Sequence, residues 1–251
     1  METPEYRIMY DMEMDYWWYV GLHHLVLHFL AQENHRENGP LEVLDAGCGT
    51  GQLMKLCYAG GLNTVGLDFS SEALRFSRVR GLGSLVQGSI SEIPFRNNLF
   101  DVVVSLDVVD CLEGAEMTRS LGEMHRVPKP RGALILNLPA YNSLRSQHDR
   151  AQHILHRFNA GEARALLSEI GFQLQVCTYR NTFLFPIAAA VRLMKRRSAP
   201  GQDSLRSDLK PLPGRINKTL TWILSVENSL IKTGLLMPFG LSVFCVGRKI
   251  A

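Results

Sequence analysis

The stretch Leu41-Glu42-Val43-Leu44-Asp45-Ala46-Gly47-Cys48-Gly49-Thr50-Gly51 constrains the fold of this chain more than any other. A short apolar run passes directly into a turn with glycine at every second position, and a helical pattern follows from Gln52 to Ala59. Glycines in such a turn permit positive-φ backbone and let a ligand approach the main chain. The helix start beyond it adds free N–H donors and a partial positive charge. This is a strand–turn–helix unit of a parallel sheet, with a ligand expected at the switch point.

The surrounding pattern agrees. Short apolar runs at 64–67, 85–87, 102–106 and 133–138 read as further strands, separated by helical patterns at 71–80, 115–126 and 160–170. Near-continuous apolar strands alternating with helices indicate a parallel sheet covered on both faces. Residues 172–179 and 241–248 read as the last two strands, and 15–31 as an N-terminal helix. Between the last two strands lie helical patterns at 182–195 and 216–236, joined by a Pro/Ser/Gly-rich segment; so long a connection inside a domain carries a function of its own. The expected organisation is an N-terminal helical lid (1–40), an α/β core (41–180), a helical insert (181–240) and the last strand of the core (241–251).

Composition excludes several classes. With 251 residues, 46% apolar and 20% charged, the chain can bury a core without disulfides or structural metal. A net charge of +3 is too mild for a partner that tracks phosphates, so no nucleic acid is expected. The five cysteines form no C-x-x-C pair and read as small buried hydrophobes, with no metal site. No run reaches the roughly 18 apolar residues of a membrane span, and the N-terminus has no apolar signal core. A cytoplasmic protein is expected.

Two acids narrow the ligand. Asp45 stands immediately before the glycine turn, where a pyrophosphate is repelled and an α-ammonium attracted; the turn is also not the G-x-G-x-x-G of dinucleotide binding. Asp68 ends the second strand, where a carboxylate accepts from both hydroxyls of a ribose. Together they describe an amino-acid nucleoside. Here the sequence resembles the class I S-adenosylmethionine-dependent methyltransferases, strongly over 41–140 and by topology over 160–180 and 241–250. The resemblance implies a doubly wound, mostly parallel seven-stranded α/β sheet of the Rossmann-like type, with S-adenosyl-L-methionine as cofactor and S-adenosyl-L-homocysteine as product. LDAGCGTG matches the family's first motif and implies that Asp45, Ala46, Gly47, Cys48, Gly49 and Gly51 hold the methionine part. VGLDFS matches the second, making Asp68 the ribose ligand and Phe69 an adenine neighbour. GSISEIPF matches the third and places Ser89 and Ile90 at the adenine edge; Ser89 stands where the family usually has Asp. FDVVVSLDVVDCL matches the fourth, with Leu106 near the cofactor and Asp110-Cys111 in place of the usual Glu-His pair.

Methyl transfer by displacement needs mainly alignment, and a base only where the acceptor must lose a proton. The polar segment leaving the fifth strand supplies His148 as base, with Asp149 and His153 beside it at helical spacing. Trp18, with Tyr16 and Trp17, reads either as core or as part of a lid over the cofactor. The apolar helices of 181–240 suit a cap over an apolar acceptor, a homodimer interface or peripheral membrane contact. The expected function is methyl transfer to a small, moderately apolar acceptor, such as a natural-product or lipid-linked intermediate. The alternative is a protein of this fold that binds the cofactor but does non-methylating chemistry or serves as a binding partner.

Overall fold

The computed structural model describes residues 3–36, 39–145, 147–190 and 211–250, the side chains of 147 and 148 excepted. The core begins with β1 (Glu42–Ala46), α3 (Gln52–Ala59), β2 (Asn63–Asp68), α4 (Ser71–Val79), β3 (Leu85–Gln87) and β4 (Phe100–Leu106). It continues through α5 (Gly114–Arg126), β5 (Pro128–Pro139), α6 (Gln147–Gln152), α7 (Ala160–Glu169), β6 (Phe172–Arg180), α8 (Gly214–Lys232) and β7 (Ser242–Lys249). Two helices precede it, α1 (Thr3–Met12) and α2 (Trp17–Asn34). The seven strands form one sheet in the order β3-β2-β1-β4-β5-β7-β6. Only β7 runs antiparallel to its neighbours, pairing Ala133–Pro139 on one side and Phe172–Arg180 on the other. The chain leaves β1 toward β2 on one side and later fills β4 on the other. The crevice outside the carboxyl ends of β1 and β4 is therefore the switch point where such sheets bind ligands.

The central strands are buried on both faces. Val43, Leu44, Val102, Val103, Val104, Leu134, Ile135 and Leu136 are all within 1% of complete burial, which matches their β-branched and aliphatic character. Strand β5 starts five residues before its apolar run, at Pro128, and its pairing with β4 carries an irregularity between Phe100 and Val102.

The N-terminal segment, expected as one lid, has two parts. Helix α2 is built into the core through Leu22, Leu25, Val26 and Leu30, and Phe29 packs on Phe244 of β7 with centroids 5.5 Å apart. Its other side meets α8 so closely that a Cβ on Gly21 would lie 2.6 Å from Leu224 Cδ1, and Asn228 Nδ2 donates to the Gly21 carbonyl at 2.7 Å. Helix α1, whose polar sequence gave no sign of it, lies over the glycine turn. Of the insert, 185–190 and α8 are helical; the remainder of the helix expected over 182–195, from 191 onward, lies outside the described residues. None of the described helices is long and apolar enough to cross a membrane.

Candidate functional site

The turn after β1 takes the shape its glycines permit. Gly47, Gly49 and Gly51 have φ of +91°, +54° and +84°. Two of them are also crowded: a Cβ on Gly47 would lie 2.3 Å from Val108 Cγ2, and one on Gly51 2.4 Å from Leu82 Cδ1. The amides of Gly47 and Cys48 donate to the Leu67 carbonyl at 2.7 and 3.0 Å, tying the turn to β2. Ser77 Oγ donates to the Gly49 carbonyl at 3.0 Å.

Two carboxylates flank this turn. Asp68 Oδ2 accepts from the Gly49 amide and Oδ1 from the Ser70 amide, both at 2.8 Å. Each oxygen keeps a lone pair for a further donor. Asp45 is 3% exposed, and burial, reinforced by the charges of Glu13 and Asp68, pushes its pKa up to about 8. A buried acid whose charged neighbours are other acids is a site that a cation stabilises. The pair therefore fits an ammonium at Asp45 and a diol at Asp68. Phe69, next in the chain, is 80% exposed and presents a free aromatic face beside Asp68. Gly88 donates to the Asp68 carbonyl at 3.1 Å, which brings the segment after β3 alongside; there Ile90 is buried, and the Ser89 hydroxyl already bonds Ser91 Oγ at 2.7 Å. Leu106 is half-buried at the end of β4, and Ala46 and Cys48 are buried beneath the turn. Trp18 is half-buried in the first turn of α2, edge-on to Trp17.

Helix α1 covers this edge. The Met9 terminal methyl sits on Gly49, 2.9 Å from where a Cβ would be. Burial and the Asp68 charge push the Tyr6 hydroxyl up, and that hydroxyl bonds Ser70. Arg80 fastens the helix: its guanidinium donates to the Thr50 carbonyl (2.7 Å), Gln52 Oε1 (2.9 Å), the Tyr10 carbonyl (3.0 Å) and Glu13 Oε2 (3.0 Å). Thr50 Oγ1 also donates to Glu13, and burial pushes Glu13 up to about 7.

Next to the turn, at the carboxyl ends of β4, β5 and β6, lies a second polar cluster. Asp107 has φ +54° and accepts from Asn137 Nδ2 at 2.8 Å; burial pushes it up to about 6. Arg180 is fully buried, and among the described residues its Nε and Nη2 have no hydrogen-bond partner, while Nη1 reaches Asn137 Oδ1 at 3.4 Å. Burial lowers its pKa to about 10, opposed by Glu227 and Asp107. His23 of α2 is pushed down to about 3 by burial and then by Arg180, so its imidazole is neutral. A group of that pKa is a weak base at neutral pH. Tyr19, one turn earlier, has its hydroxyl pushed up by burial and then by Glu13 and Asp107, which places it between the two clusters.

The segment leaving β5 holds the residues expected to handle a proton. His148 lies on α6, with its side chain outside the described residues. Asp149 is 3% exposed and accepts from Arg157 Nε at 2.5 Å and Nη2 at 2.8 Å; Arg157 Nη1 donates to the Ala140 carbonyl at 3.0 Å. That fork clamps α6 to the end of β5. His153 follows α6 at φ +58°, exposed. Gln152 Nε2 donates to Glu5 Oε2 at 3.1 Å, so α6 abuts the helix over the turn.

Residues 44–136, from β1 through β5, match the family model of the methyltransferase domain. Over that stretch the chain resembles a methyltransferase domain. Proteins similar to this chain include the malonyl-[acyl-carrier protein] O-methyltransferases of Pectobacterium atrosepticum and Erwinia pyrifoliae. The first is 32% identical over 105 residues, 41% of this chain and 41% of that protein. The second is 31% identical over 175 residues, 65% and 64% of the two chains. The chain thus spans less than two thirds of the length of these relatives. Among solved structures, the complex between the Haloferax volcanii Trm112 methyltransferase activator and the putative methyltransferase shares the fold, at a TM-score of 0.61. That match has 17% identity and covers 99% of this chain and 94% of the other.

Of the residues expected to hold a ligand, Asp45, Gly47, Gly49, Gly51, Asp68, Phe69 and the start of the Ser89 segment converge on one sheet edge. Met9, Glu13, Arg80, Asn137 and Arg180 stand in no recognisable spacing, and Asp107, inside the segment FDVVVSLDVVDCL, is not singled out by it; only the folded chain brings them to that edge.

Proposed function

We propose that this chain binds S-adenosylmethionine at the glycine turn and transfers its methyl group to a small, moderately apolar acceptor at the ends of β4, β5 and β6. The observation that supports this most is the pair of buried carboxylates, Asp45 and Asp68, bracketing a positive-φ glycine turn at the sheet's switch point. The cofactor supplies a sulfonium-activated methyl group. Asp45 faces the ammonium, Asp68 accepts from the ribose hydroxyls, and the turn glycines let the ligand lie against the main chain. Helix α1 excludes water from above. The rings of Tyr141, Phe185 and Phe239, with successive centroids 5.7 and 5.4 Å apart, give the acceptor an apolar entrance. Chemistry then depends chiefly on alignment.

Calorimetry with S-adenosylhomocysteine tests the cofactor half, with NAD as the control that does not bind. Asp68→Ala is expected to weaken this binding by about 2–3 kcal/mol, because charge-assisted bonds are lost. An unchanged affinity removes Asp68 from the site.

Binding is also expected to release a proton. The Asp45 carboxyl, at about 8, is protonated at neutral pH in the free chain, and an ammonium beside it favours the ionised form. Affinity therefore rises between about pH 6 and about pH 8, and binding heats near neutrality follow the ionisation enthalpy of the buffer. For folding of the free chain the consequence runs the other way. The stability contributed by a raised carboxyl is present below its unfolded value near 4 and is lost as pH rises through about 8. Buffer-independent heats in wild type, or buffer-dependent heats retained in Asp45→Asn, contradict this assignment.

For the acceptor's proton, His148 on α6 is the proposed base. His148→Ala is expected to lower kcat by roughly 10²–10⁴-fold with S-adenosylhomocysteine affinity intact, and to remove a limb of the pH–rate profile near neutrality. Parallel loss of both kcat and affinity makes His148 a support of the pocket. An unaltered profile makes it surface and leaves Asp107, held near 6 beside Asn137, as the group to test.

A further inference from the structure

The described surface is not uniform. Eight of its fourteen exposed large apolar side chains lie between 183 and 239, among them Phe183 (45%), Ile187 (68%) and Trp222 (67%). The charge is skewed toward the same part of the sequence. Residues 181–240 hold nine Lys or Arg against three Asp or Glu, while the rest of the chain holds 18 against 21. Apolar exposure and excess positive charge thus fall in the same part of the sequence, Arg215, Lys218 and Lys232 being the cations among its described residues.

Helix α8 shows how they are arranged. Leu224 and Ile231 are buried on the side that packs against α2. Arg215, Lys218, Trp222 and Val226, at spacings of three, four and four, line the opposite side, which is exposed. The only acid of α8 is Glu227. It is fully buried and accepts from the Asn181 amide at 2.5 Å and the Phe183 amide at 3.2 Å. The outer stripe therefore carries cations and apolar groups with no acid of α8 among them, Asp15 lying beside Asn217 at its start, and the same Glu227 holds the exposed turn at Phe183 beside the helix.

We infer that this face docks on an anionic lipid bilayer. An amphipathic helix with Lys and Arg beside an exposed Trp suits the headgroup layer, where the indole sits at the interface and the cations meet lipid phosphates. A second copy of the chain fits less well. A twofold interface sets the same patch against itself and gathers four cations, Arg215 and Lys218 of both copies, into one contact with no acid of α8 to offset them. Phe185, the ring at the acceptor entrance, lies between Phe183 and Ile187 in the chain. Docking therefore brings that entrance to the bilayer, and the acceptor is a molecule carried in the membrane. This last clause rests on the methyl-transfer reading; the docking itself does not.

The full chain, mixed with vesicles of phosphatidylcholine alone or with about 30% phosphatidylglycerol, tests this by co-sedimentation. Wild type is expected to bind the anionic vesicles, to release in high salt and to ignore the neutral ones. Arg215→Glu/Lys218→Glu and Trp222→Ala are each expected to lower partitioning by about tenfold or more, while S-adenosylhomocysteine affinity stays at the wild-type value, which certifies their fold. Equal partitioning of the charge-reversed variant overturns the inference, as does absence of vesicle binding by wild type. Self-association abolished by Trp222→Ala, without vesicle binding, makes the face a dimer interface and overturns it as well. If vesicles bind but S-adenosylhomocysteine does not, the docking stands and the methyl-transfer reading fails.

Discussion

Gly47→Val is expected to lower the melting temperature by about 6–15 °C and to abolish cofactor binding. Two costs combine. A β-branched residue is forced to φ +91°, about 1–2 kcal/mol, and a side chain is driven into Val108, whose Cγ2 would lie 2.3 Å from the new Cβ, about 1–3 kcal/mol. In a chain of this size each kcal/mol shifts the midpoint by about 2–4 °C. Val108 follows β4 at the inner wall of the crevice, so the backbone shift that relieves the clash moves the turn against which the ligand lies. Gly49→Ala is the informative contrast. Its φ of +54° lies in the ordinary left-handed region, and its Cβ meets only the flexible end of Met9 at 2.9 Å. Its cost should stay near about 1 kcal/mol. Comparable melting of both variants by calorimetry would show that crowding at Val108 is not the cause.

Asp149→Ala is the second large effect, and it falls on stability before chemistry. The Arg157 side chain is 2% exposed and reaches Asp149 through a two-bond fork at 2.5 and 2.8 Å. Removing the carboxylate leaves a buried guanidinium without its countercharge, which costs about 3–5 kcal/mol. Asp149→Asn keeps the size but not the charge and should recover only part of the loss. Replacing both residues, as Asp149→Leu/Arg157→Met, should recover most of it, since a buried pair exchanged for apolar groups is often neutral. A single Asp149→Ala variant that melts like wild type but loses turnover would return Asp149 to the catalytic role its neighbourhood with His148 suggests.

These two predictions rest on different kinds of legibility. The glycine turn and the acids at the ends of β1 and β2 were readable because their constraint is local: a strand, a turn and a helix start within eleven residues. The central strands β1, β4 and β5 were readable for a related reason, since a strand buried on both faces must be apolar throughout. What escaped was set by tertiary contact. In α1, the sequence Thr3-Pro4-Glu5-Tyr6-Arg7-Ile8-Met9-Tyr10 shows no clear apolar stripe, because much of what its side chains meet is polar: Asp68, Ser70 and the Arg80 guanidinium, which lies 4.3 Å over the Tyr10 ring. Arg180 reads as the polar end of a strand, yet it is buried because α2 and α8 pack over that edge. Asp149 reads as a companion of His148 and Arg157 as part of the same polar segment, eight positions on; only the return of the chain past Ala140 makes them a pair.

Arg80 ties the roof of the site to its floor. One guanidinium holds a carbonyl and a carboxylate of the N-terminal region, Tyr10 and Glu13, and at the same time the Thr50 carbonyl inside the glycine turn. A conventional flap swings on hinges remote from the pocket, so it can open while the binding surface stays intact. Here the latch is mounted on the binding surface itself. Lifting α1 means rupturing the bonds that also brace the turn, so the open state has both a mobile helix and a loosened turn. On the proposed reading, exchange of spent cofactor for fresh requires this joint to break, which couples residence time to affinity.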